Sequence, residues 1–230
     1  MEDRVCAVIL AAGSGSRMNS ELTKQMFLIN GKSVLLRSLE AFESCDDIDD
    51  IILVVRNDEM NFALSQTDGK FSKLRKIIYG GRTRFESASL GFKAIDFPCR
   101  LVAIHDAARC LISSDMITKV VKDAAVYGAA SASSLVVDTV KRVDENGFVI
   151  RTEDRETLRM ASTPQVFRYD IYATALSSVD SDKITVTDDN MLMELIGERV
   201  YMTDVGSTNI KITYAEDKAL AEYLLERRDG

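Results

Sequence analysis

The chain of 230 residues has no tryptophan, one histidine, two prolines and four cysteines. Each scarcity removes a class of explanation. Cys6, Cys45, Cys99 and Cys110 are scattered, and none begins a C-x-x-C pair. With His105 as the sole imidazole, a Cys/His zinc centre lacks ligands, and a disulfide framework lacks its cysteine spacing. A Ser-His-Asp triad would have to use His105, yet no G-x-S-x-G elbow occurs. No apolar run approaches the ~20 residues of a membrane span. Met1-Glu2-Asp3 is acidic, and the apolar stretch from Val5 to Ala12 is short and runs into a glycine loop. That is unlike a signal peptide, so a cytoplasmic location is expected. Positive charge is also short: 29 Lys and Arg face 36 Asp and Glu, for a net charge of −7. Non-specific binding to nucleic acid or an anionic membrane needs the opposite balance, so neither is expected as the main partner. An anionic small substrate must instead be caught by a local cluster of basic side chains.

Hydrophobic residues make up 46% and charged residues 28% of the chain, enough to bury a core and offset ordering entropy. The length suits a single domain, 1–230. Val5 to Leu10, Ile51 to Val55 and Leu101 to Ile104 read as continuous apolar strands. Between them, Leu35, Leu39 and Phe42 recur at helical spacing, as do Phe85, Ala88, Phe92 and Ile95. Ile117, Val120, Val121 and Ala124 mark a further helix, ending at Gly128. Continuous rather than alternating apolar strands predict a largely parallel sheet covered on both faces, an α/β fold. Met191, Leu192, Leu195 and Ile196 predict a later helix. Thr213 with Glu216 reads as the capping box of the last one, which carries Leu220, Tyr223 and Leu224.

The segment 138–154 is different. Asn146-Gly147 is a hairpin-turn signal between two polar, strand-like runs. An isolated hairpin is marginal in water. Val140, Val143, Phe148 and Ile150 must therefore lean on the parent domain or on another subunit.

The most informative stretch runs from Leu10 through Ala11, Ala12, Gly13, Ser14, Gly15, Ser16 and Arg17 to Met18, with Lys24 beyond. Glycines after a strand let backbone N–H groups approach a phosphate. A dinucleotide fingerprint would need glycine where Met18 stands, and a Walker A loop ending at Gly31-Lys32-Ser33 would need it at Met26. What remains is a glycine turn with two cations, Arg17 and Lys24. They converge on a triphosphate, or they are solvated beside a tight turn. Asp106, after the third apolar strand, is either a carboxylate placed to hold Mg²⁺ at the sheet's carboxyl edge or a turn or capping aspartate. His105 reads as a buried, hydrogen-bonded residue rather than a chemical group. Gly80-Gly81 to Ser87 leads into a helix, either as part of a site or as a plain turn with an N-cap serine.

Taken together, these segments resemble the 2-C-methyl-D-erythritol 4-phosphate cytidylyltransferases over nearly the whole chain, from about Val5 to Leu225. The glycine loop with Arg17 and Lys24 resembles L-A-A-G-x-G-x-R-M…P-K-Q. Gly80 to Ser87, with Arg84 inside it, resembles G-G-x-x-R-x-x-S. His105 to Arg109 is similar to H-D-A-A-R, Asp138 to Arg142 to D-T-x-K-R, and Asp154-Arg155 to D-R. Thr163-Pro164-Gln165, Thr187-Asp188-Asp189 and Asn209 to Thr213 complete the series in order. Thr23, Cys110, Arg159 and Ser162 depart from the family's usual Pro, Pro, Trp and Gln. Arg159 and Ser162 flank the expected acceptor pocket.

The resemblance implies a Rossmann-like nucleotidyltransferase fold, mostly parallel sheet, with 138–154 as a protruding β-hairpin arm that interlocks a homodimer. It implies transfer of CMP from CTP to the phosphate of methylerythritol phosphate, releasing pyrophosphate. Arg17 and Lys24 would stabilise the α-phosphate in the transition state. Ala11, Ala12, Gly13, Ser14 and Gly15 would cradle the triphosphate, with Mg²⁺ or another divalent cation near Asp106. Gly81 and Ser87 would read the base, and Asp106 and Ala107 would hold the ribose. Arg109, Thr139, Arg155, Thr163, Thr187 and Lys211 would bind the polyol phosphate. A ribitol-5-phosphate cytidylyltransferase would share this chemistry, but the Lys141-Arg142 and Asp154-Arg155 pairs favour methylerythritol phosphate. A non-catalytic nucleotide-binding regulator on the same fold would be marked by loss of Arg17, Lys24 or Asp106, and all three are present.

Overall fold

Every residue of the first strand is buried, because helices cover both of its faces. The computed structural model describes residues 3–13, 23, 25–179 and 185–229. Ser14, Gly15, Arg17 and Lys24 lie outside the described residues. In chain order the first half comprises β1 (Val5–Leu10), β2 (Leu28–Ile29), β3 (Lys32–Ser33), α1 (Val34–Glu43), β4 (Asp50–Val55), α2 (Met60–Thr67), β5 (Leu74–Tyr79), α3 (Arg84–Lys93) and β6 (Leu101–Asp106). There follow α4 (Ser114–Tyr127), β7 (Ala129–Leu135), β8 (Lys141–Val143), β9 (Val149–Thr152), β10 (Arg159–Arg168), α5 (Tyr169–Ser178), α6 (Asp189–Leu195), β11 (Tyr201–Asp204) and α7 (Asp217–Asp229).

Seven strands form one sheet in the order β11-β7-β10-β6-β1-β4-β5. All neighbours are parallel except β10, which runs antiparallel to both β6 and β7. This is the α/β architecture the apolar runs predict, with one reversed strand that they do not. The chain moves from β1 outward to β4 and β5, then returns to lay β6 on the other side of β1. The crevice between the carboxyl ends of β1 and β6 is thus a topological switch point, where open α/β sheets bind ligands.

Side-chain alternation along β1 divides the core. Val5, Ala7 and Ile9 pack with Leu35, Leu39 and Phe42 of α1 and Ile117, Val120 and Ala124 of α4. Cys6, Val8 and Leu10 pack with Ala88 and Phe92 of α3, Tyr172 of α5 and Leu192 of α6. α3 sits unusually close to the sheet, since a Cβ on Gly91 would run into the Val8 side chain. That close approach brings the first turn of α3 to the edge of β1. α4 ends at Gly128 in the left-handed conformation, as its spacing predicts. All four cysteines are buried and free. No helix among the described residues is long and apolar enough to cross a membrane.

One expectation needs adjustment. The last helix starts at Asp217, and its cap is not the Thr213–Glu216 box. The Asp217 carboxylate instead accepts the N–H groups of Thr213 at 2.7 Å and Tyr214 at 2.8 Å, and the Thr213 hydroxyl donates to the Lys211 carbonyl at 3.2 Å. The hairpin forms as predicted around Asn146-Gly147, where the Asp144 carboxylate accepts from Asn146 N at 3.0 Å and Phe148 N at 2.9 Å. Its two strands stand apart from the main sheet, and every residue of both is exposed. Val143, Phe148, Val149 and Ile150 each remain half exposed or more.

His105 is wholly buried, with its ring 4.8 Å from Phe42 and Nδ1 3.1 Å from the Thr163 hydroxyl. It is the buried, hydrogen-bonded residue expected. Burial pushes its pKa from 6.5 down to about 3. The folded pKa is the lower one, so between these values only the unfolded chain binds the proton. The stability that comes from a neutral His105 is complete above about pH 6.5 and is lost as pH falls, at up to ~1.4 kcal/mol per pH unit. Urea midpoints at pH 7 and pH 4.5 should show wild type losing ~2–3 kcal/mol more than His105→Gln. Parallel losses in both proteins would mean that His105 is not the titrating group.

Candidate active site

The register of the sheet gathers three loops at one edge. Leu10 of β1 lies opposite Asp106 of β6 and Val54 of β4. The ends are tied across strands: Ala11 N donates to Val54 O at 2.7 Å, Ala107 N to Leu10 O at 3.0 Å and Gly80 N to Val55 O at 2.8 Å. The start of the glycine loop, Ala11, Ala12 and Gly13, therefore meets Gly80-Gly81 on one side and Asp106-Ala107 on the other. Gly80 permits this contact, because a Cβ there would collide with that of Ala12. The helix that follows is capped by Thr83, whose hydroxyl accepts from Glu86 N at 3.0 Å. Ser87 is not the cap. Its hydroxyl accepts from Gly81 N at 3.1 Å and donates to Thr83 O at 2.9 Å, fixing the Gly81 loop.

Asp106 is the centre of the site. Its Oδ1 accepts from Arg84 Nε at 2.9 Å and its Oδ2 from Lys211 Nζ at 2.6 Å. Burial alone would raise its pKa, but the two cations hold the carboxyl well below the usual carboxylate range. Its backbone N–H donates to the Thr163 hydroxyl at 3.0 Å. Thr163 is fixed in turn by Asn209, whose Nδ2 donates to Thr163 O at 2.9 Å. Arg109 Nη1 donates to Asn209 O at 2.9 Å, and Ile212 N to Ala108 O at 2.8 Å. Asp106, Ala107, Arg109, Thr163 and Lys211 thus come together from three distant segments.

The other expected acceptor residues stand apart. Thr139 is exposed. Arg155 is exposed at the foot of the hairpin, donating to Val137 O at 2.6 Å. Thr187 is exposed, its hydroxyl 3.8 Å from Met191 Sδ. Arg159, one of the unusual positions, folds onto its own chain, donating to the carbonyls of Glu156 at 2.9 Å and Leu158 at 2.7 Å. Ser162 lies beside Asn209, with Oγ 3.5 Å from Nδ2.

Sequence reasoning passed over part of the site. Arg84 was one letter within a motif, yet it joins Asp106 to Asp189, donating to Asp189 Oδ2 from Nη1 at 2.6 Å. Burial opposes the Arg84 charge, but Asp189 and Asp106 more than offset this and raise its pKa above the ordinary arginine value. Asp189 sits within the quoted Thr187-Asp188-Asp189 run, so that motif was the available signal. Tyr172 lies on α5, a helix with no distinct pattern. Three buried polar atoms at the site have no partner among the described residues: Arg84 Nη2, Arg109 Nε and Asn209 Oδ1. Orphaned buried donors are costly, so two guanidinium N–H groups here call for an anionic or oxygen-rich ligand.

The described residues contain no group of three or more His, Cys, Asp or Glu side chains able to hold a metal by themselves. A nucleotide-bound Mg²⁺ asks for less, usually one or two carboxylates plus phosphate oxygens. Asp106 fits as that single carboxylate, since its two bonds leave further lone pairs.

Comparison with known proteins identifies the family. Residues 5–227 match the family model of IspD, 2-C-methyl-D-erythritol 4-phosphate cytidylyltransferase. A protein of that description from Clostridium perfringens is 40% identical over 224 residues, 97% of this chain and 99% of its own length. One from Clostridium botulinum is also 40% identical, covering 96% of each chain. Among solved structures, the 4-diphosphocytidyl-2C-methyl-D-erythritol synthase of Anaerococcus prevotii superposes with a TM-score of 0.89 at 30% identity, over 97% of this chain and 96% of that one. The Francisella tularensis cytidylyltransferase gives 0.79 at 28% identity, over 96% and 99%. The family model and these relatives cover nearly the whole chain, which belongs to the 2-C-methyl-D-erythritol 4-phosphate cytidylyltransferase family.

Proposed function

We propose that the crevice around Asp106 is where this nucleotidyltransferase moves CMP from CTP to 2-C-methyl-D-erythritol 4-phosphate, a step of isoprenoid precursor synthesis. The observation that carries this reading is the pair of guanidinium N–H groups, Arg84 Nη2 and Arg109 Nε, that have no partner among the described residues, beside Asp106 and Lys211 at the switch point. A phosphate oxygen of the acceptor attacks the α-phosphorus of CTP. The new P–O bond forms as the α–β bridging bond breaks, and pyrophosphate leaves with that electron pair. The nucleophile is already an anion, so the reaction needs charge neutralisation and alignment rather than a general base. A protein whose one histidine is locked in the core can therefore be an enzyme.

The roles are those the family resemblance implies. The backbone from Ala11 to Gly15 cradles the triphosphate, with Arg17 and Lys24 on the α-phosphate. Gly81, fixed by Ser87, faces the base. Asp106 and Ala107 hold the ribose. Asp106 also supplies the protein carboxylate for a divalent cation, Mg²⁺ or a similar ion, which neutralises triphosphate charge when bound. Arg109, Thr163, Thr187 and Lys211 receive the acceptor. Thr139 and Arg155 flank the hairpin, whose apolar side chains lack cover: Val143 is 50% exposed, Phe148 73%, Val149 61% and Ile150 61%. This supports 138–154 as an arm that docks on a second copy of the chain, forming a homodimer in which Thr139 and Arg155 complete the partner's site.

Three outcomes test the reading. Pyrophosphate release should require CTP and methylerythritol phosphate, with ATP and ribitol 5-phosphate turned over poorly. Equal rates with ATP would sink the base assignment, and faster turnover of ribitol 5-phosphate the acceptor assignment. Arg17→Ala and Lys24→Ala should each cut turnover by roughly 10²–10³ while weakening CTP binding much less, as expected for donors to charge that develops in the transition state. Near-normal turnover in both would remove the loop from the chemistry. Finally, mixing Lys24→Ala with Arg155→Ala subunits should restore activity. Each heterodimer then holds one site with both lesions and one with neither, giving about half of wild-type activity per heterodimer by this counting. Sites built within one chain would show no recovery.

A further inference from the structure

A chain of hydrogen bonds runs away from Asp106 into the core. Arg84 uses two different nitrogens on two different carboxylates, Nε on Asp106 Oδ1 at 2.9 Å and Nη1 on Asp189 Oδ2 at 2.6 Å. The other Asp189 oxygen accepts from the Tyr172 hydroxyl at 2.6 Å. The four residues come from β6, α3, α6 and α5, so the chain crosses one face of the sheet.

Its far end is rigid. Tyr172 is wholly buried, stacked on Phe167 with ring centroids 5.2 Å apart and edge-on to Phe92 at 5.2 Å. The Asp189 backbone is clamped as well. Gln165 Oε1 accepts from Asp189 N at 2.8 Å, while Gln165 Nε2 donates to Asp188 Oδ2 at 2.7 Å. Asp188 also caps α6, with Oδ1 accepting from Met191 N at 3.1 Å. The near end is not rigid by itself. Arg84 lies in the first turn of α3 with four rotatable bonds, and without Asp189 its fork has one anchor instead of two.

From this geometry we infer that Asp189 and Tyr172 are positioning residues for cytidylyl transfer, which aim the Arg84 guanidinium and through it the Asp106 carboxylate. The inference rests on the reading that Asp106 holds the nucleotide's ribose. Neither residue touches substrate. Burial and then the neighbouring Asp189 charge raise the Tyr172 pKa well above the ordinary tyrosine value, so its hydroxyl keeps the proton that it donates. A buried carboxylate with one partner removed reorients towards the partner that remains. With Arg84 loosened, Asp106 follows Lys211, and the ribose contact shifts with it.

The test uses the full chain with Tyr172→Phe, which keeps the ring stacking, Asp189→Asn, which keeps the shape, and Arg84→Lys, which keeps the charge but replaces the planar fork of separate nitrogens with one ammonium. Urea midpoints accompany steady-state kinetics and calorimetric titration of CTP in the absence of acceptor. Asp189→Asn should lower kcat/KM for CTP by roughly 10–100-fold, the scale of a misplacement near 1 Å. Tyr172→Phe should lower it by roughly fivefold, the scale of one hydrogen bond. CTP affinity should weaken in step, although both variants keep every Arg84 nitrogen. Asp189→Asn should add little on an Arg84→Lys background, and Arg84→Lys little on Asp106→Asn, because residues in one network are not additive. If the variants lose only stability and keep wild-type kcat/KM per folded molecule, or if the Arg84 and Asp189 effects simply add, the positioning role is wrong. Should Arg84→Lys fail to fold, the other two variants still decide it through the split between midpoint and kcat/KM. Wild-type kcat/KM in Asp106→Asn would overturn the underlying reading, whereas impairment of Asp106→Asn alone would overturn only the relay.

Discussion

A buried carboxylate at the end of a buried strand must be neutralised, and much of this molecule is arranged around meeting that need for Asp106. Taking a charge out of water costs several kcal/mol even after relaxation. Arg84 and Lys211 offset this from opposite sides, one from the helix after the Gly80 loop and one from the segment after β11. Each reaches Asp106 only because another contact places it. Gly91 seats α3 on the sheet, and the bond from Ile212 N to Ala108 O draws the Lys211 segment across the end of β6. The fold and the site are thus two descriptions of one arrangement.

The same economy explains what the site leaves unpaired. Core polar groups elsewhere are mostly satisfied, as with Ser133 donating to Thr203 O at 3.0 Å and Ser38 donating to Ala107 O at 2.6 Å. Around Asp106, guanidinium N–H groups of Arg84 and Arg109 are left over. Cations held in place by carboxylates before substrate arrives need little reorganisation when an anion binds, which is where preorganised electrostatics contribute most to a phosphoryl-type transfer. The exposed hairpin is the second place where groups are left over, and under the proposed arm its apolar side chains and the flanking Thr139 and Arg155 would serve one end, the completion of a partner's acceptor pocket.

The sequence by itself determined β1, β4 and β6 and the helices α1, α3 and α4, because continuous apolar runs and 3.6-residue spacing are local properties. The hairpin turn at Asn146-Gly147 was legible too, since turn residues are a local signal. β7, Ala-Ala-Ser-Ala-Ser-Ser-Leu, was not, since small residues carry little strand signal. It is a strand because Ser131 and Ser133 find partners within the sheet. The antiparallel placement of β10 likewise leaves no trace in its own pattern. Nor could the sequence show that the Asp217 carboxylate would take the N–H groups of Thr213 and Tyr214 in place of a Thr213–Glu216 box. Among the site residues, Asp106, Arg109, Thr163 and Lys211 were named through resemblance, but their grouping was not visible. Arg84 meets Asp189, and Lys211 meets Asp106, across 105 positions of chain in each case. Contacts at that separation depend on the order of strands in the sheet. Only the tertiary structure decided that Asp106 is a shared counter-ion with a rigid support behind it, because that support is assembled from elements that meet only once the sheet has formed.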